Sequence, residues 1–182
     1  MRLEMSQDGD SVLLLDARHF PIVICKWEGP PTEALASEYI DWLGLMIERA
    51  EFYETRLIHV IEASKIGRPG AIARRILADG AAERKAMHAE KGAVIATYLN
   101  PDSAIVRGIL AVIRWSLGTD GYELNLTESL RASVTAAVER LAEAGVEAPP
   151  DLNPVFYELE LDPQVPMSAR SSSRMQISKI LS

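Results

Sequence analysis

Ser64, Lys65, Gly67, Arg68 and Gly70 lie within one short stretch, Glu62-Ala63-Ser64-Lys65-Ile66-Gly67-Arg68-Pro69-Gly70. Two cations and two glycines stand just before a segment of helical pattern. Backbone N–H groups at the start of a helix, together with its dipole, favour negative charge. Glycines let another backbone or an anion approach closely. The stretch is therefore the first candidate for binding an anion or the polar surface of another protein. The expected partner- or anion-binding residues are Ser64, Lys65, Gly67, Arg68 and Gly70.

Other reactive side chains are more scattered. His19, His59 and His88 have no ligand spacing and no cysteine pair beside them, so no metal site is expected. His59 shares a strand face with Leu57 and Ile61 and reads as a core histidine. Ser64 and His59 have no acid or oxyanion feature attached, and no nucleophile-elbow or Walker sequence occurs. Cys25 lies in Ile22-Val23-Ile24-Cys25-Lys26-Trp27 and reads as a small buried apolar group. No catalytic residue and no cofactor is expected. Gly67 and Gly70 also have the spacing with which KH domains clamp a nucleic-acid backbone, but there the loop joins two helices, whereas here a strand precedes it.

The elements that position these residues follow from periodicity. Residues 3–5 begin or extend a sheet edge, and 7–10 form a turn. Residues 12–15 and 22–27 are strands, apolar on successive positions as in strands covered on both faces. Thr32 caps a helix that places Leu35, Tyr39, Trp42, Leu43, Met46, Ile47 and Ala50 on one side. A third strand covers 57–61 and empties into the glycine loop. A helix from Ala71 to about His88 follows, with Ile72, Ile76 and Leu77 toward the core and Gly80 as a weak point.

Residues 93–98 form a fourth strand and 105–117 an apolar helix. A short strand covers 122–126. A last helix begins on a capping box from Asn125 to Glu128 and buries Leu130, Val134, Ala137, Val138 and Leu141. The helix over 105–117 is apolar nearly all round, with Arg107 and Arg114 on one face and Trp115 beside them. Arg107, Arg114 and Trp115 thus mark a second candidate interface, covered by a homodimer contact or by residues 155–161 folding back.

The 182 residues carry 19 basic and 26 acidic side chains. Every acidic residue lies at or before Asp162, together with 16 of the basic ones, so that part has a net charge of −10. Arg170, Arg174 and Lys179 give the last twenty residues +3. Such an acidic body repels phosphate backbones, so no nucleic-acid partner is expected. The single cysteine cannot form an internal disulfide, which fits a cytoplasmic protein. Neither a signal peptide nor a membrane-inserted segment is expected.

The element order, with Phe20-Pro21-Ile22-Val23-Ile24-Cys25-Lys26-Trp27-Glu28-Gly29, Leu57-Ile58-His59-Val60-Ile61-Glu62-Ala63-Ser64 and Arg107-Gly108-Ile109-Leu110 to Trp115, resembles the STAS domain. The likeness is to anti-sigma factor antagonists and to the STAS/SEC14-like group of small bacterial proteins, over about residues 10–143. It implies an α/β fold with a mixed four- to five-stranded sheet and about four helices. It also implies a cytoplasmic regulatory or adaptor module that binds a protein partner. The phosphoacceptor of the antagonists is replaced by Gly67-Arg68-Pro69-Gly70, and Ser64 lies too early to inherit it.

On this reading 1–145 is the STAS-like domain, 146–162 an extended segment lying on it, and 163–182 a basic, serine-rich disordered tail. Two alternatives stay open: a small-molecule sensor binding an anionic or lipid ligand at the 65–70 loop, and an enzyme of unrecognised type.

Overall fold

The structure is a computed structural model that describes residues 2–101 and 123–159, without the side chains of 84–91. The strands are β1 (Leu3–Asp8), β2 (Ser11–Asp16), β3 (Ile22–Gly29), β4 (Leu57–Ile66), β5 (Val94–Pro101) and β6 (Leu124–Leu126). The helices are α1 (Glu33–Phe52), α2 (Ala71–Lys91) and α3 (Leu130–Glu143). The expected helix over 105–117, with Arg107, Arg114 and Trp115, lies outside the described residues, as does the tail.

The strands form one sheet in sequence order, β1-β2-β3-β4-β5-β6. Pairing is antiparallel across β1, β2 and β3, and parallel from β3 to β6. The sheet is thus mixed as expected, but it has six strands rather than four or five. The added strand is β1, whose polar outer half hides its pairing. Gly9 has a φ of +60° at the first of the two turn residues between Asp8 and Ser11, as a type II′ hairpin requires.

Because β3, β4 and β5 are neighbours in sequence order, right-handed crossovers put α1 and α2 on the same face. There Leu13, Val23, Cys25, Trp27 and Leu57 meet Leu35, Tyr39, Trp42, Met46 and Ile47 of α1. Thr32 caps α1, its Oγ1 accepting from the Leu35 N–H at 3.3 Å. On the opposite face Leu14, Ile24, Ile58, Val60 and Tyr98 pack with Val134, Ala137 and Leu141 of α3. Covered on both faces, β3 and β4 are apolar at successive positions for the reason anticipated. Each such aliphatic side chain stabilises the fold by about 1.5–3 kcal/mol.

Several local expectations are corrected. Ile72 is 59 % exposed, while Ala73 and Gly80 are the buried positions among the described side chains of α2. A Cβ on Gly80 would collide with the Ile40 side chain, so this glycine lets α1 and α2 approach. Ser129, not Asn125, caps α3, its Oγ accepting from the Ala132 N–H at 3.1 Å. The part of 155–161 that is described is not a strand. Residues 154–156 turn, Phe156 is 80 % exposed, and Leu152 and Leu159 anchor the segment to the α3 face.

Among the described residues no helix is long and apolar enough to cross a membrane.

Candidate functional site

The parallel strands β3, β4 and β5 end at the same edge of the sheet, and the β4–α2 corner projects there. β4 runs to Ile66, further than the apolar pattern indicated, because Glu28 pairs with Lys65 and Gly29 with Ile66 beyond a bulge at Ala63 and Ser64 of β4. Ser64 and Lys65 therefore sit on the strand, and the loop is 67–70. Of the five residues singled out from the sequence, Ser64, Lys65, Arg68 and Gly70 are exposed and Gly67 is half-buried.

Three backbone corners interlock here. The Gly67 N–H donates to the Gly29 carbonyl at 2.8 Å. A Cβ on Gly67 would stand 2.7 Å from the Pro30 nitrogen and 3.1 Å from the Gly29 carbonyl carbon. Gly29 has a φ of +77°, and a Cβ there would stand 2.8 Å from the Asp10 carbonyl oxygen. Ser11 Oγ donates to the Pro30 carbonyl at 2.6 Å. The β1–β2 turn, the β3–α1 corner and the β4–α2 corner thus hold one another by backbone contact.

The two loop glycines play different parts. Nothing lies within 4 Å of a Cβ built on Gly70. Its carbonyl accepts the Arg74 N–H at 3.0 Å, so α2 starts on a residue with no capping side chain. The first turn of α2 contains no acidic residue, while Arg68, Arg74 and Arg75 are exposed around it. Arg75 reaches Asp79 at 3.9 Å. Lys65 is held differently. Its Nζ lies 3.4 Å from Glu28 Oε1, which also takes Lys26 Nζ at 2.9 Å. The Lys26 hydrogen bond, with help from Lys65, holds the Glu28 carboxyl below the usual carboxylate range.

Behind the corner, Lys26, Glu62 and Asn100 occupy register positions side by side on β3, β4 and β5. Glu62 and Asn100 are buried. Glu62 Oε1 accepts the Ser64 N–H at 3.0 Å, and Oε2 accepts the Asn100 side-chain amide. The pair ties the exit of β4 to β5. A lone carboxylate inside an apolar strand is the signal that sequence reading passed over, and its partner needs the register to be known.

On the other face Cys25 Sγ lies 3.6 Å and Tyr39 Oη 3.5 Å from His59 Nε2. All three are buried. Burial pushes the Cys25 thiol up and the His59 imidazole down to about 3, so both are neutral and no thiolate forms. His59 packs under Tyr39 while Ser64 is exposed, so the two do not come together.

At the opposite end of the sheet Asp16 is buried. Burial alone would raise its carboxyl, but hydrogen bonds from Arg18 and Tyr157 outweigh that and carry it below its usual value. The Arg18 N–H, Nε and Nη2 donate to it at 2.9, 3.0 and 2.7 Å, and Tyr157 Oη donates at 2.8 Å. This carboxylate is engaged in fastening residues 151–159 to the β2–β3 connection. Among the described residues no group of three or more His, Cys, Asp or Glu side chains could hold a metal ion.

Comparison with protein-family models, with curated proteins and with solved structures gave no match.

Proposed function

We propose that this chain is a non-catalytic, STAS-like regulatory or adaptor module that docks an acidic surface of a protein partner at the β4–α2 corner. The observation that carries the reading is the start of α2. A helix N-terminus that starts on Gly70, flanked by Arg68, Arg74 and Arg75 and free of acidic residues in its first turn, stands on a body of net negative charge. Exposed Ile72, in the first turn of the same helix, adds an apolar contact. Because the corner is braced through Gly67, Gly29 and Pro30, a partner meets a preformed surface and loses little entropy in ordering it. The order β2, β3, α1, β4, α2, β5, then β6 and α3, supports the STAS-like reading, with β1 as an addition.

Lys65 is a weaker anchor than its sequence position implies, since it is already engaged with Glu28. The informative variant is therefore R68E together with R74E. Affinity capture from lysate of the source cells should retain a protein on the parent chain and lose it on this variant, with the two melting curves superimposed. An identical captured set on both would remove the corner from consideration.

A further inference from the structure

The two ends of β4 carry surfaces of opposite character. α2 leaves from its carboxyl end and α1 arrives at its amino end, about 30 Å away along ten residues of strand. At the carboxyl end Lys65 reaches Glu28 and Arg75 reaches Asp79, whereas among the described residues Arg68 and Arg74 have no ion-pair partner. Both arginines are exposed, and so is Ile72 in the first turn of α2.

At the amino end Phe52 and Tyr53 close α1 and are 80 % and 58 % exposed. Their rings meet edge to face at 5.2 Å, and Tyr53 leans on Phe20 at 6.4 Å, so the aromatic surface is one patch. Glu48 stands one helical turn before Phe52 on the same face, and Glu54 follows two residues after it. Both carboxylates are exposed, and among the described residues neither has an ion-pair partner. The arginines of this end are engaged or withdrawn. Arg18 bonds the buried Asp16, Arg56 Nη2 donates to the Ala144 carbonyl at 2.8 Å, and Arg49 is half-buried. That Arg56 bond brings the end of α3 beside the end of α1, so the negative ends of two helix dipoles add to the acidic character. Exposed apolar surface rimmed by polar groups marks an interaction site.

We infer that the acidic surface docked by the β4–α2 corner is this aromatic end of a second copy of the chain, so that copies associate head to tail. Arg68 and Arg74 supply the charge that Glu48 and Glu54 lack. Guanidinium groups also stack on aromatic faces, which suits them to Phe52 and Tyr53, and Ile72 adds apolar contact. Charge selects this arrangement over a pairing of like ends. Corner against corner sets Arg68 and Arg74 against their own copies, and aromatic end against aromatic end does the same for Glu48 and Glu54. Lying at opposite ends of β4, the two patches cannot meet within one chain. The inference rests on the docking reading of the corner and adds the identity of its partner.

The test is sedimentation velocity across a concentration series reaching several hundred micromolar. The parent chain should sediment faster as concentration rises at about 0.1 M salt and return to monomer at about 1 M, as the screening length falls from about 10 Å to about 3 Å. R68E with R74E, and separately E48K with E54K, should each weaken association roughly tenfold or more. An equimolar mixture of these two variants should regain it, because a reversed corner then meets a reversed aromatic end. F52S, at a position 80 % exposed, should weaken association about tenfold with Tm unchanged. A parent chain that stays monomeric overturns the inference. So does an association that either charge pair leaves unchanged, or that the mixture fails to restore. If the parent stays monomeric while a lysate protein is still lost on R68E with R74E, the corner remains a docking site and only the second copy is excluded. Corner variants that alter neither measurement remove both readings. Circular dichroism checks each fold, and if a charge variant fails to fold, F52S decides alone, unchanged association overturning the inference.

Discussion

Replacing Gly67 by alanine should separate the braced corner from the rest of the sheet end. The new methyl carbon would lie 2.7 Å from the Pro30 nitrogen, 3.0 Å from its Cα and 3.1 Å from the Gly29 carbonyl carbon. All three are backbone atoms, and Gly29 is itself pressed against Asp10, so no flexible side chain can yield. The corner must move away, which stretches the 2.8 Å bond from the Gly67 N–H to the Gly29 carbonyl. Overpacking of this kind costs about 1–3 kcal/mol, and a weakened backbone hydrogen bond adds about 1 kcal/mol. A loss of roughly 2–4 kcal/mol lowers Tm by about 4–16 °C in a chain of this size.

The same substitution at Gly70 meets open space. Alanine is a poorer helix cap than glycine by several tenths of a kcal/mol, and the stiffer unfolded chain returns about as much, so the net change should be near zero. Urea melts of the two variants, fitted with a common slope, measure the contrast. Equal stabilities, or a larger loss at Gly70, would refute the claim that the corner is held by backbone contact at Gly67.

Gly80→Ala should destabilise by about 1–2 kcal/mol although alanine is the better helix former, because its methyl group collides with Ile40. Ile40→Val in the same chain should recover part of that loss, and a thermal melt in which the two changes simply add would show that the collision is absent. The neutral, buried His59 should weaken the protein in acid. Its folded value, near 3, lies below the ordinary 6.5, so the unfolded chain binds the extra proton. Stability is then full above about pH 6.5 and declines as pH falls toward 3, by on the order of 5 kcal/mol at the limit. Urea denaturation from pH 7 to 4 should show a shallower decline in His59→Leu, and an unchanged slope would assign the acid loss to other groups.

What could be seen in the sequence was whatever rests on apolar periodicity. The burial of α1 along Leu35, Tyr39, Trp42, Met46 and Ile47 follows from 3.6-residue spacing, and Thr32 announces its start. The doubly covered strands β3 and β4 follow from unbroken apolar runs. The features that escaped depend on backbone geometry or on register. β4 continues through Ser64 and Lys65 because main-chain pairing with β3 persists after the apolar pattern stops. β1 is half polar and is defined by its two-residue turn and not by burial. Gly80 reads as a helix defect in one dimension and is a packing requirement in three.

At the candidate site, a strand, a glycine-bearing loop and a helix could be read in order. The brace through Gly29 and Pro30, and the pairing of Glu62 with Asn100, needed the strands to be set side by side. The partition of charge was also hidden. Lys65 and Arg68 look equivalent in the chain, yet Lys65 meets Glu28 across the ladder while Arg68 is exposed on the loop.

The segment from Asp151 to Leu159 has a consequence for how the protein is made. Tyr157 bonds Asp16 across 141 residues, and the Leu159 carbonyl accepts from Lys26 across 133. A ribosome adding 5–20 residues per second needs about 7–30 s to deliver those partners after the β1–β2–β3 meander has emerged. For that interval Leu14, Ile22 and Ile24, which Leu152, Leu159 and α3 help to cover, lack part of their cover in the nascent chain. The face covered by α1 and α2, by contrast, can be assembled from residues up to Val94. Synthesis therefore passes through a stage with one sheet face packed and the other wet, and slow elongation between β3 and Leu159 would prolong exposure of that single apolar surface.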